Sequence, residues 1–187
     1  MKISPTGYWY DSVNHAYSRT LAQWICQYLK GQEDKVVWDF GCGWGFYLRE
    51  LQNAGFTRLT GFEGEIPENR VFDHVLSQDL TIPFVLPWKG NVICLEVGEH
   101  IPEEYQQIFI NNICNSCDGK LILSWGELNQ PGDGHINCRD NAYIISEITK
   151  RGMTFLFNET LSARAVITEE CEWFKNTVMI FKVDNEV

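Results

Sequence analysis

Val36-Val37-Trp38-Asp39-Phe40-Gly41-Cys42-Gly43-Trp44-Gly45-Phe46 is the stretch that decides the fold. A short apolar run closes on an acid and then passes through three glycines at alternate positions. β-Branched and aromatic residues in so short a run fit a buried strand. Alternate glycines let the backbone turn tightly and approach a ligand where no Cβ would fit. Dinucleotide-binding loops need G-x-G-x-x-G, and phosphate-cradling loops need a Lys after the last glycine. Neither pattern is present, so no phosphate is expected at this turn.

Working outward, Leu21, Trp24, Ile25, Tyr28 and Leu29 recur at helical spacing ahead of this strand, with Gly31 as a stop. The strand covers 35–39, a helix 46–54 closed by Gly55, and a second strand 59–63. Strands follow at 75–78 and 92–96, then a helix from Pro102 with Tyr105, Ile108, Phe109 and Ile113 on one face. A strand at 121–125, a helix at 142–151 stopped by Gly152, and strands at 153–157 and 177–183 complete the chain. Strands alternating with helices predict an α/β parallel sheet between helices, with a ligand at the carboxyl ends of the strands. Only eleven residues, Pro67 among them, separate Glu63 from Val75. The second crossover is therefore abbreviated to a turn or loop.

At 187 residues, 44% apolar and 13% aromatic, the chain suits a single domain, 1–187, with a sizeable core. No apolar run reaches the length of a membrane span, and Met1-Lys2-Ile3-Ser4-Pro5 lacks the apolar stretch of a signal peptide, so a cytoplasmic location is expected. Seven cysteines in such a chain read as reduced thiols, and Cys114-x-x-Cys117 without a second pair as a helix end. A net charge of −10 with no basic cluster disfavours nucleic acid as a partner.

The string D-x-G-x-G-x-G between strand and helix resembles the first motif of class I S-adenosylmethionine-dependent methyltransferases. The resemblance extends from the leading helix to the final pair of strands, which looks like the antiparallel C-terminal edge of that Rossmann-like sheet. It implies S-adenosyl-L-methionine as cofactor, held at the loop by Gly41, Cys42, Gly43 and Gly45, with Asp39 meeting its ammonium group directly or through water. Gly61-Phe62-Glu63 ends the second strand about twenty residues on, where Glu63 would accept the ribose hydroxyls. Ser77-Gln78-Asp79-Leu80 places Asp79 at the adenine amino group and the Leu80 amide at a ring nitrogen. Glu96, after the fourth strand, falls beside the cofactor.

Glu96-Val97-Gly98-Glu99-His100 carries the chemistry. Positions i, i+3 and i+4 share a face if the chain turns helically, so two carboxylates and an imidazole would converge. The pattern resembles the E-x-x-E-H of two metal-dependent branches of the superfamily, the small-RNA 2′-O-methyltransferases and the O-methyltransferases of ubiquinone biosynthesis. By resemblance to the first, His135 would complete a metal set with Glu96, Glu99 and His100. That set suits Mn²⁺, Fe²⁺, Co²⁺ or Zn²⁺, or Mg²⁺ with waters in the remaining positions. Alternatively His100 or His135 acts as a metal-free general base, or the acid caps the helix and the His merely orders the loop. The catalytic candidates are thus His100, His135 and Glu99.

Two functions from different classes follow. One is methyl transfer to an oxygen of a small or terminal substrate, with N-methylation of a small molecule or peptide as its nearest rival. The other is a module that binds the cofactor without transfer. The aromatic segment within 1–17 would form a lid, with the 126–141 loop and the region of Trp173 completing the substrate site. Glu172-Trp173-Phe174 reads as core packing, Trp125 as either pocket wall or core, and His15 and His74 as structural or exposed.

Overall fold

The computed structural model describes residues 3–10, 15–168 and 171–184. Seven strands form one sheet: β1 Val37–Phe40, β2 Leu59–Glu63, β3 Val75–Ser77, β4 Gly90–Cys94, β5 Cys117–Leu123, β6 Met153–Phe155 and β7 Met179–Val183, in the order β3-β2-β1-β4-β5-β7-β6. The pairs from β3 to β5 are parallel, and β7 runs antiparallel to both β5 and β6. The expected architecture is present: a mostly parallel α/β sheet with an antiparallel C-terminal edge and helices on both faces. Residues 64–74 between β2 and β3 hold only turns and bends, so the second crossover is abbreviated.

Period-2 alternation along the strands sorts the core into two layers. Val37, Ile93, Ile122 and Ile180 face one side, against α1 Arg19–Tyr28, α2 Phe46–Asn53 and α5 Phe157–Ala165. Trp38, Phe40, Val92, Cys94, Leu121, Leu123 and Phe181 face the other, against α3 Gln106–Asn115 and α4 Asn141–Thr149. The helices begin where side chains satisfy their first amides. The Ser18 hydroxyl accepts from the Leu21 N–H at 3.2 Å ahead of α1, and Asp140 accepts from the Tyr143 N–H at 2.7 Å ahead of α4.

Tertiary packing moved several boundaries. β4 stops at Cys94, two residues before the expected Glu96, and β5 begins at Cys117 and ends before Trp125. Cys117 therefore opens a strand, while Cys114 lies in α3. β6 ends at Phe155, and Phe157 starts α5, a helix that the expected 153–157 strand overran. α5 hides little apolar surface. Thr160 and Ala163 are its buried residues, while Phe157 and Leu161 stand 62% and 48% exposed, so it shows no helical stripe. Thr177, expected in the last strand, instead closes the short α6 Phe174–Thr177. Among the described residues no helix is long and apolar enough to cross a membrane.

Candidate active site

The carboxyl ends of β1, β2, β4 and β5 open on one edge of the sheet, where a cleft of about 290 Å³ lies. The glycine loop reaches it through Gly41. Gly41, Gly43 and Gly45 have φ of 73°, 53° and 81°, and the Gly41 and Cys42 amides donate to the Phe62 carbonyl at 2.8 and 3.1 Å. A Cβ on Gly41 would lie 2.3 Å from Val97 Cγ2, one on Gly43 2.5 Å from His15 Cγ, and one on Gly45 2.7 Å from Phe72 Cβ. Glycine is thus required twice over, by conformation and by space. Gly43→Ala is expected to store about 1–3 kcal/mol of backbone strain and to displace His15. Thermal unfolding should show the variant destabilised by that amount, and an unchanged Tm would contradict the packing.

Asp39 sits beneath this loop, 2% exposed, and its Oδ2 accepts no hydrogen bond from a described residue. Burial, then the neighbouring Glu63, pushes its pKa up to about 8. A side cavity of about 70 Å³ runs past Asp39, Gly41, Cys42, Gly43 and Glu96. A buried carboxyl group with one unpartnered oxygen beside glycine backbone suits an ammonium group. Glu63, at the end of β2, accepts from the Gly43 N–H at 2.9 Å and the Gly64 N–H at 3.1 Å. Burial raises its pKa, and these two bonds oppose the rise. Each oxygen keeps lone-pair capacity for a further donor.

Asp79 and Leu80 line the far end of the cleft. The Asp79 carboxylate is already engaged: Thr6 Oγ1 donates to Oδ2 at 3.0 Å, and the Thr81 N–H and hydroxyl donate to Oδ1 at 2.9 and 2.6 Å. The Leu80 carbonyl accepts from Asn112 Nδ2 at 2.9 Å. Thr6 belongs to a hairpin-like N-terminal segment in which Ile3 bridges Trp9, and Thr6, Gly7, Tyr8 and Trp9 all line the cleft. Of the expected lid, residues 1–2 and 11–14 lie outside the described residues.

After β4 the chain does not continue as a helical face. Glu96 adopts a left-handed φ of 54°, and a 3₁₀ turn spans Gly98–His100. Glu96 is held by Ser124 Oγ at 2.8 Å, Gln130 Nε2 at 2.7 Å and Thr177 Oγ1 at 3.3 Å. Burial raises its pKa while these bonds oppose the rise. Glu99 is fully buried, and neither of its oxygens accepts a hydrogen bond from a described residue. Burial, then the Glu96 charge, lifts its pKa well above the carboxylate range, against the pull of the nearby Glu99 and Gly126 N–H groups.

His100 and His135 face Glu99, with their Nε2 atoms 3.9 and 4.0 Å from its Oε1. Ligand atoms of the three residues all lie within 4.8 Å of one another. Behind them, His100 Nδ1 meets the Gly134 carbonyl and His135 Nδ1 the Gln130 carbonyl, each at 3.1 Å. A carbonyl only accepts, so each Nδ1 carries the proton and each Nε2 turns a lone pair inward. Burial lowers the His100 pKa to about 4, which keeps that ring neutral at pH 7. Two lone pairs and a carboxylate oxygen converge with no donor between them. That arrangement is repulsive until a cation or proton enters, and it fits a divalent ion of the kind that His and carboxylate ligands take.

The structure thus brings Glu99, His100 and His135 together and sets Glu96 beside them on its own partners. Sequence reasoning placed Gln130 in the 126–141 loop over the site, but it gave Ser124, Gln130 and Thr177 no role of their own. His15, read as structural or exposed, lines the cleft and packs its ring on Gly43. His74 is structural, with its Nδ1 3.0 Å from the Leu59 carbonyl. Trp125 is core, fully buried, and donates from Nε1 to the Asn137 carbonyl at 2.7 Å. Glu172-Trp173-Phe174 divides: Phe174 is 1% exposed in the core, while Trp173 is 38% exposed and lines the cleft.

No protein-family model matches this chain, and no curated protein sequence does. Solved structures do. Magnesium protoporphyrin IX methyltransferase from Synechocystis, with bound S-adenosylhomocysteine, shares 19% identity over 87% of this chain and 82% of its own, with a TM-score of 0.62. The methyltransferase domain of bacterial CtHen1-C shares 18% over 87% and 96%, with a TM-score of 0.60. The [4+2]-cyclase SpnF shares 12% over 97% and 88%, also at 0.60. A cyclase among them shows that this scaffold hosts more than one chemistry. At such identities the likeness establishes the fold: the chain has the Rossmann-like α/β sheet of class I methyltransferases.

Proposed function

We propose that the protein is an S-adenosylmethionine-dependent methyltransferase acting on an oxygen of a small or terminal substrate with the help of a divalent cation. The observation that carries this reading is the convergence of Glu99, His100 and His135, whose two imidazoles line one cleft together with Gly41, Glu63 and Asp79. Asp39 would hold the cofactor's ammonium group, Glu63 its ribose, and Asp79 with Leu80 its adenine. The loop glycines admit its backbone-hugging end. Glu99, His100 and His135 would hold the ion, and Glu96, fixed by Ser124, Gln130 and Thr177, adds negative charge beside it. A bound divalent ion supplies Lewis acidity to a substrate hydroxyl. S-adenosylmethionine held by these residues would supply an electrophilic methyl group to that oxygen, and the hydroxyl proton would pass to solvent.

The metal-free alternative assigns a base to His100 or His135. A His100 pKa near 4 leaves an imidazole too weakly basic to draw a proton from a hydroxyl at neutral pH. That observation favours a ligand role for His100. The test is methyl transfer from labelled cofactor into metabolite extracts, with and without a chelator, alongside calorimetry with S-adenosylmethionine. Binding with metal-dependent label on oxygen supports the reading. Label on amines alone would overturn the oxygen assignment, chelator-insensitive transfer the metal, and tight binding without any transfer would leave a binding module.

A further inference from the structure

A second cavity of about 230 Å³ adjoins the cleft, and Gln130 and Trp173 line both. Its other walls include Glu127, Leu128, Asn129 and Asn176. The two shared residues are well anchored. Gln130 donates to Glu96 at 2.7 Å and accepts from the Glu127 N–H at 3.2 Å, and Trp173 stands on the buried Phe174, with their ring centroids 5.9 Å apart. Glu127 in turn accepts from Asn141 Nδ2 at 3.1 Å. Under the reading above, the walls from Gly41 to Leu80 belong to the cofactor. A substrate whose reacting oxygen lies near His100 and His135 then extends toward Gln130 and Trp173, where this cavity begins.

Its chemistry selects what can sit there. An indole surface is flanked by carboxamides and one carboxylate, groups that pair with hydroxyls, which both donate and accept. Among the described residues, neither cavity is lined by a Lys or Arg. Glu96, Glu127 and Asp133 would repel a phosphate or carboxylate, which needs charge-assisted donors. A wholly apolar group would strip water from the amides without replacing its hydrogen bonds.

We infer that the acceptor carries an uncharged sugar, its ring packed on Trp173 in the second cavity and a hydroxyl presented toward His100 and His135, which line the cleft. This rests on the methyltransferase reading, and the test separates the two. In the full chain saturated with S-adenosylhomocysteine, ligand-observed NMR compares methyl β-glucoside, glucose 6-phosphate and glucuronate. The glycoside should bind and the two anions should not. Trp173→Ala should weaken the glycoside about tenfold, and Trp173→Phe should largely restore it. The inference is overturned if an anion binds as well as the glycoside, if the glycoside gives no signal, or if Trp173→Ala binds it like the parent. Calorimetry of S-adenosylhomocysteine in the same samples tests the underlying reading by itself, since loss of that binding would remove the reading too.

Discussion

Glu99→Gln is expected to lose divalent-metal binding and, without metal, to make the protein more stable. The two effects share one cause. The carboxylate is fully buried, neither oxygen accepts a hydrogen bond from a described residue, and Glu96 adds a like charge. A neutral amide of the same shape removes that repulsion and offers a donor to the inward lone pairs of His100 and His135. Relieving one unsatisfied buried polar group is worth about 1–3 kcal/mol, or several degrees in Tm for a chain of this size. The sign with pH follows from the raised pKa. Below the unfolded value of 4.5 both states bind the proton and the parent keeps its stability, which is lost as pH rises toward the folded value. The advantage of Glu99→Gln therefore grows with pH. Losing the charged ligand should lower Co²⁺ affinity by about a hundredfold or more, roughly 3 kcal/mol. Glu96→Gln should behave oppositely without metal, because its carboxylate has donors in Ser124, Gln130 and Thr177 to lose. Thermal unfolding with and without chelator and a cobalt titration check all of this. A destabilised Glu99→Gln, or one that binds cobalt like the parent, would sink the account.

Asp39→Asn should flatten the pH dependence of the ligand-free protein and weaken the cofactor. With a pKa raised from 3.8 to about 8 by burial and then Glu63, the Asp39 carboxyl contributes stability present below pH 3.8 and lost as pH rises toward 8. Across that window the loss accumulates at about 1.4 kcal/mol for each pH unit. The asparagine variant lacks this loss, so it should overtake the parent near neutral pH. Its neutral amide also forfeits a charge-assisted bond to an ammonium group, worth about 1.5–3 kcal/mol, so S-adenosylmethionine should bind about tenfold to a hundredfold more weakly. Denaturant unfolding at pH 5, 7 and 8.5 with calorimetry decides it. An unaltered pH slope would mean that Asp39 is not the titrating group.

Cofactor saturation should offset the same pH-dependent loss in the parent protein, because ligand that binds only the folded state adds stability. The comparison uses one protein under two conditions and so avoids any folding defect of a variant.

The central strands were legible because each is buried on both faces and bounded by turns. Val37, Trp38 and Phe40 pack into opposite layers, and that demand leaves an apolar run that no other element mimics at that length. The glycine loop was legible for a local reason, since φ near 53–81° at alternate positions leaves little choice but glycine. α5 was not legible. Its place is set by Thr160 and Ala163 seated against the sheet, not by a stripe of its own. Trp173 and Phe174 are neighbours in the chain with the same apolar character, and their separation into cleft wall and core is invisible without the fold.

The sequence by itself determined the order of the seven strands and of the helices as far as α4, the turn at Gly41 to Gly45 and the acids at the strand ends, because periodicity and glycine conformation act within a few residues. The tertiary structure alone decided which acid stands unpaired. Glu96 and Glu99 are equivalent as letters three positions apart, but the left-handed turn at Glu96 delivers its carboxylate to Ser124, Gln130 and Thr177, which lie 28, 34 and 81 residues away. Glu99 is left with two imidazoles, one of them 36 positions later in the sequence, and that convergence exists only where β4 and β5 end side by side.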